Sequence, residues 1–189
     1  VGANADTSLL LTPEQREHVY RAIRDRRDSK HGKPICAVDF QNDAEFVGGC
    51  IAGGRNYFHV NSEGDVEPCV FIHYSDSNIR EKSIIECLNS PLFKEYYKGQ
   101  PFNKNMLRPC PMLENPQALR KMAARSGAKS TNLICEESAE QLCSKCDAYA
   151  AAWAPKAKEI WEEKERFKPF TQYYRDTPEG KLNYRPEDY

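Results

Sequence analysis

Eight cysteines, at positions 36, 50, 69, 87, 110, 135, 143 and 146, constrain this chain more than any other feature. Thiols in this number have three uses. They pair as disulfides in oxidising compartments, they ligate zinc or iron–sulfur clusters, or they pack as small apolar side chains. At 189 residues the chain is long enough to build a core without four disulfides. Ligation is therefore the leading expectation, and a disulfide-stapled extracellular domain the lesser one.

Composition narrows the class. Apolar residues make up 40% and charged residues 29%, a globular balance. A net charge of −1 argues against a general nucleic-acid or membrane-surface binder. No apolar run approaches the ~18 residues of a membrane span. No signal-peptide pattern stands at the start, so a cytoplasmic protein is expected. The first residue is Val1, not Met, which points to a processed chain or a piece of a longer protein.

The pattern along the chain predicts an α+β fold. Thr12, Pro13 and Gln15 form a capping box that opens a helix with an apolar stripe at Val19, Ala22 and Ile23. The run His31-Gly32-Lys33-Pro34 ends it. "ICAVDF" then reads as a buried strand, completing half of a βαβ unit whose other strands would lie before Val1. "RNYFHV" and "DVEPCVFIHY", joined by "NSEG", read as a hairpin. Cys50 enters it, Cys69 lies on its return strand, and His59 and His73 are expected to be satisfied strand residues. Arg55 and Asn56 are expected to face solvent.

"NIREKSIIECLNSPLFKEYY" reads as one helix with Ile84, Ile85 and Leu88 on its apolar face and Cys87 beside it as a core thiol. Cys110 sits between Pro109 and Pro111, which stiffen the backbone and remove competing amide donors. Pro116 to Gly127 predicts a helix carrying Leu119, Met122 and Ala123. A longer helix follows, broken or restarted at Pro155, with Leu142, Cys143, Cys146, Tyr149, Ala150 and Trp153 on one side. From about Lys168 the tail has no period, and Tyr173, Tyr174, Tyr184 and Tyr189 are expected along the surface.

Four soft ligands are needed for a structural zinc or a [4Fe–4S] cluster. Cys50, Cys69, Cys110, Cys143 and Cys146 are the candidates, five for four places. Cys36, Cys87 and Cys135 are expected to be non-ligands. Nothing supports a nucleophile elbow, a P-loop or a dinucleotide fingerprint.

The spacing Cys50-x13-Gly64-x4-Cys69 resembles the opening of the SPASM or twitch domain, which follows the barrel in many radical SAM enzymes. "GDVEPCVF", "SNIREKSIIECLNSPLF" and the order of motifs from Gly49 to Phe93 are similar to that family, and the resemblance extends over residues 34–150. It implies the end of a β/α barrel over residues 1–45, a cluster domain over 46–155 and a helical and extended tail over 156–189. It implies one [4Fe–4S] cluster, serving electron relay or structural support. Cys110 lacks the companions of the full second motif, which is similar to the shorter twitch arrangement. The SAM-cleaving motif C-x3-C-x-x-C does not occur. SAM would bind only in the missing barrel, which is the expected partner together with an unknown substrate and electron donor. The resemblance also gives Asp39, at the end of the barrel strand, as a substrate or SAM contact. A zinc-binding structural module is the alternative reading.

Overall fold

The structure, a computed structural model, describes residues 5–27 and 37–166. The expectations for residues 28–36, Cys36 among them, and for the tail from Lys168 lie outside the described residues.

The chain opens with a 3-10 turn at Thr7–Leu9, then α1, Pro13–Arg27. The capping box is present: the Gln15 amide donates to Thr12 Oγ1 at 3.2 Å, and the Thr12 amide to Gln15 Oε1 at 2.9 Å. The buried face differs from the predicted stripe. Arg16 and Tyr20, one turn apart, are buried, whereas Val19 and Ile23 are half-buried and Ala22 is exposed. The helix is rotated because Arg16 finds a buried partner for its charge, described below, which outweighs the apolar pattern.

Residues 37–40 carry no strand, and Val38 and Phe40 are 60% and 83% exposed. A buried strand needs neighbours on both edges, and the described residues supply none here. The short helix α2, Ala44–Val47, follows and ends at Gly48.

The hairpin forms in a shortened state. β1, His59–Val60, pairs antiparallel with β2, Val66–Glu67, in the register His59 to Glu67 and Val60 to Val66. Gly64 closes the turn with φ at +88°, and an added Cβ would stand 2.8 Å from Asn78 Oδ1, so glycine is required on both counts. Pro68 and Cys69 interrupt the return strand, which turns back on itself with Cys69 bridged to Ile72. The chain resumes as β3, Tyr74–Ser75. Its partner is β4, Lys129–Ser130, more than fifty residues on.

The predicted single helix after the hairpin is two. α3, Ile84–Leu88, is capped by Ser83, and α4, Pro91–Gly99, by Ser90 with Pro91 at its first position. A serine cap and a proline in mid-run restart the backbone. On α3 the buried residue is Cys87, while Ile84 and Ile85 are 39% and 69% exposed. α5, Pro116–Ser126, ends at Gly127 and buries Leu119, Met122 and Ala123 as the pattern indicates. α6, Ala139–Arg166, runs unbroken through Pro155. Trp153, Ala157 and Ile160, buried on both sides of the proline, hold it in line.

Three apolar clusters result. The largest joins Ala52, Cys69, Ile72, Tyr74, Leu92 and Tyr96 to Leu119, Met122, Leu142 and Cys143. At ~1.5–3 kcal/mol for each large side chain buried, it is the main anchor of the hairpin on α4, α5 and α6. A second joins Tyr20 and Leu107 to Trp153, Ala157 and Ile160, fastening α1 to α6. A third holds Val66, Cys87 and Phe93. Among the described residues no helix is long and apolar enough to cross a membrane.

Candidate metal centre

Three of the candidate thiols come from three separate turns and meet around two tyrosines. Cys50 lies before the hairpin, Cys69 in the break of its return strand and Cys110 on the proline-stiffened loop. All three act electrostatically on both Tyr57 and Tyr96. Cys50 Sγ is 3.2 Å from the Tyr96 hydroxyl. Tyr57 and Cys69 act on one another, the tyrosine lowering the thiol and the thiol raising the tyrosine. All three cysteines are free thiols.

Each sulfur also faces its own backbone. Cys69 Sγ accepts from the Phe71 amide at 3.3 Å, while the Ile72 amide donates to the Cys69 carbonyl at 3.1 Å. Cys110 Sγ accepts from the Leu113 amide at 3.3 Å. At Cys50 the Ala52 backbone works against the larger rise that burial causes. In both amide contacts to sulfur the donor lies two or three residues ahead. The local reason is visible: Pro111 has no amide to offer, and the Cys69-to-Ile72 turn folds its amides back. Amides aimed at a sulfur favour the thiolate, the form that binds metal.

The turns are tied to one another. The Gly53 amide donates to Pro68 O at 2.9 Å, joining the Cys50 turn to the Cys69 turn. Gly53 has φ at +70°, and an added Cβ would lie 2.1 Å from Tyr96 Cδ1. The missing side chain lets the ring stand against the Cys50 turn. Tyr96 is braced by Phe102, edge to face at 4.9 Å.

Burial opposes the charge. It pushes the Cys69 thiol up to about 11, with Cys50 contributing, and the thiols of Cys50 and Cys110 rise for the same first cause. Such thiols ionise when a cation compensates them. The donor set fits a soft metal group: three thiols, backbone amides directed at sulfur and a mostly apolar wall. Among the described residues no three His, Cys, Asp or Glu side chains are placed to hold one metal ion. A cluster takes each thiolate on a different iron, so its ligands need not meet at one atom.

Cys143 and Cys146 lie one turn apart on α6, both buried. Burial pushes Cys143 up to about 12 and raises Cys146 as well. Their surroundings differ. Cys143 packs in the largest apolar cluster, near Tyr74. Cys146 feels the carboxylate of Glu114, whose Oε2 accepts the Cys110 amide at 2.7 Å. Cys87 is a core thiol, fully buried against Val66 and Phe93, and Cys135 is exposed.

Other expectations resolve differently. Arg55 does not face solvent freely: it is half-buried and donates to Gly48 O at 2.8 Å and Gln100 Oε1 at 3.2 Å. Asp39 spends its carboxylate locally, on the Gln41 amide at 3.2 Å and Asn42 Nδ2 at 2.6 Å. His59 and His73 are satisfied as expected, and by the same atom. Their Nδ1 atoms lie 2.7 Å and 3.4 Å from Glu67 Oε2. Glu67 is fully buried and also receives Thr131 Oγ1 and Asn61 Nδ2.

Sequence reading missed Glu67, Tyr57, Tyr96, Arg16 and Glu114. Glu67 stands two residues before Cys69 in "VEPC", where a carboxylate inside a β-rich run was the available signal. Tyr96 carries no local signal, since its role depends on Gly53, forty-three residues away.

The stretch that carries Cys50, Gly64, Cys69 and Cys110 is similar to a known family. The family model described as SPASM, an iron–sulfur cluster-binding domain, matches residues 50–112. Its match opens at Cys50 and closes two residues after Cys110, so it spans all three gathered thiols. No curated protein and no solved structure matches the chain.

Proposed function

We propose that this chain holds one [4Fe–4S] cluster on Cys50, Cys69, Cys110 and Cys146, as the SPASM-type auxiliary cluster domain of a radical SAM protein. The observation that carries the reading is the gathering of three thiols around Tyr57 and Tyr96, with the Phe71 and Leu113 amides directed at the sulfurs of Cys69 and Cys110. Cys146 is taken as the fourth ligand because Glu114 stands beside both it and the Cys110 amide. Cys143 is left to the apolar cluster.

A cluster bound by four thiolates supplies electron transfer or a structural cross-link, without an open iron for substrate. The chain's own residues then do three things. The amides of Phe71 and Leu113 stabilise sulfur charge. Tyr57 and Tyr96 stand beside the thiols, and the Tyr96 hydroxyl meets Cys50 Sγ at 3.2 Å. Pro109 and Pro111 hold Cys110 in place. The cleavage of SAM belongs to a barrel whose motif this sequence does not contain.

The test is iron, zinc and acid-labile sulfide per chain on anaerobically purified protein. About four irons and four sulfides are expected. Zinc without sulfide would replace the cluster by a structural zinc module. Neither metal, with thiols oxidised, would overturn both.

A further inference from the structure

Glu114 and Arg16 form a fully buried ion pair, 2.7 Å between Glu114 Oε1 and Arg16 Nη1, with side-chain exposures of 1% and 0%. Buried charges of this kind are usually costly, and this one is fastened on every side. Arg16 Nε donates to Asn42 Oδ1 at 2.9 Å, Nη1 to the Tyr149 hydroxyl at 3.2 Å, and Nη2 to the carbonyls of Gln41 and Leu107 at 2.8 and 3.0 Å. The guanidinium lies 4.2 Å over the Trp153 ring, whose Nε1 donates to the same Leu107 carbonyl at 2.8 Å. One cation thus joins α1, the turn at 41–42, the segment leading to Cys110 and α6.

The other oxygen of Glu114 reaches the metal centre. Its Oε2 accepts the Cys110 amide at 2.7 Å. The loop closes around that contact: Asn115 Nδ2 donates to Arg108 O and Cys110 O at 2.8 and 3.0 Å, and Arg108 Nη2 to Glu114 O at 3.1 Å. No strand or helix holds Cys110 itself. Its place is set by the carboxylate four residues on, and the carboxylate's place is set by Arg16.

We propose that Glu114, clamped by Arg16, is the positioning residue for Cys110, fixing the ligand loop by its backbone. The proposal rests on the cluster reading above. An ordinary structural ion pair would affect stability alone; a positioning residue affects the thiol and its iron.

The experiment compares two charge-neutral variants of the full chain. Arg16→Met with Glu114→Leu removes the pair and the acceptor for the Cys110 amide. Arg16→Met with Glu114→Gln removes the charges and keeps an acceptor oxygen. Neither leaves a buried charge unpaired, so both are expected to fold. Metal-free protein is alkylated with iodoacetamide and each cysteine followed by peptide mass mapping; anaerobic protein is assayed for iron. In the Leu variant Cys110 should react roughly tenfold faster than in the unsubstituted protein, the opening expected for one lost buried amide bond. Cys87 should stay protected and iron should fall below half. The Gln variant should restore both. Equal Cys110 rates and equal iron in the two variants would overturn the proposal, as would Cys87 opening as fast as Cys110 in the Leu variant. If the unsubstituted protein binds no iron, the cluster reading fails, while the alkylation contrast still tests the positioning.

Discussion

Cys69 and Cys87 are both buried, eighteen residues apart, and they are wired in opposite senses. Cys69 Sγ receives a hydrogen bond from the Phe71 amide and feels the thiols of Cys50 and Cys110. Cys87 Sγ faces an acceptor, the Lys82 carbonyl, at 4.0 Å, and is enclosed by Val66 and Phe93. A sulfur that accepts a hydrogen bond is prepared to carry negative charge. Burial alone does not separate a ligand from a core thiol. The direction of the hydrogen bond does.

The largest effect should separate these two. Cys69→Ala is expected to abolish iron binding, whereas Cys87→Ala should keep the iron and lower stability by about 1 kcal/mol, the loss from a small core truncation. Iron analysis and a urea melt on each variant decide it. Equal iron in both would break the comparison. The same contrast applies within α6. Cys146→Ala should lose most of the iron and Cys143→Ala should retain it, since Cys146 shares Glu114 with the Cys110 loop while Cys143 shares Tyr74 with the core. The reverse result would move the fourth ligand one turn along the helix.

A smaller effect concerns how the turns are held. Gly53→Ala places a Cβ 2.1 Å from the Tyr96 ring at a φ of +70°. Left-handed backbone costs a non-glycine residue ~1–2 kcal/mol and overpacking ~1–3 kcal/mol, so a loss of roughly 2–5 kcal/mol is expected in a urea melt. Gly54→Ala separates the two terms. It has a similar φ of +81°, but its nearest neighbour is the Leu88 side chain at 3.1 Å. It should cost less, and an equal cost would remove Tyr96 from the account.

The legible part of this molecule was the part written in short range. The capping box of α1, the turn at Gly64, the prolines around Cys110 and the Pro116-to-Gly127 helix each follow from neighbours in sequence. Cys50 and Cys69 were readable as neighbours from their spacing, because a hairpin brings its ends together, and Cys110 was singled out by its flanking prolines. What stayed hidden depends on distant pairs. Arg16 looked like one more surface charge on an amphipathic helix until Glu114, ninety-eight residues away, gave it a partner. The rotation of α1 away from Val19 and Ala22 follows from that pair. Pro155 reads as a helix break because propensity says so, and tertiary packing of Trp153 and Ala157 overrides it. The run "ICAVDF" has strand composition, yet in residues 37–40 Val38 and Phe40 stay exposed because a strand's burial is a property of its neighbours.

The last prediction turns the comparison into a pH dependence. Metal-free Cys69 has its pKa raised by burial from the ordinary thiol value of 9.0 to about 11. A group whose folded pKa lies above its unfolded one contributes stability that is complete below the unfolded value. That contribution is lost as pH rises from about 9 through about 11, because the unfolded chain releases the proton first. Chemical melts of metal-free protein should therefore weaken across that window, and Cys69→Ala should flatten the slope. The metal-loaded protein should not weaken in the same window through these thiols. Its ligands are already thiolates, and raising the pH removes the competition of protons for sulfur. If the loaded and metal-free proteins weaken in parallel, then Cys69 is not a thiolate ligand, and the Phe71 amide that points at it serves only the turn.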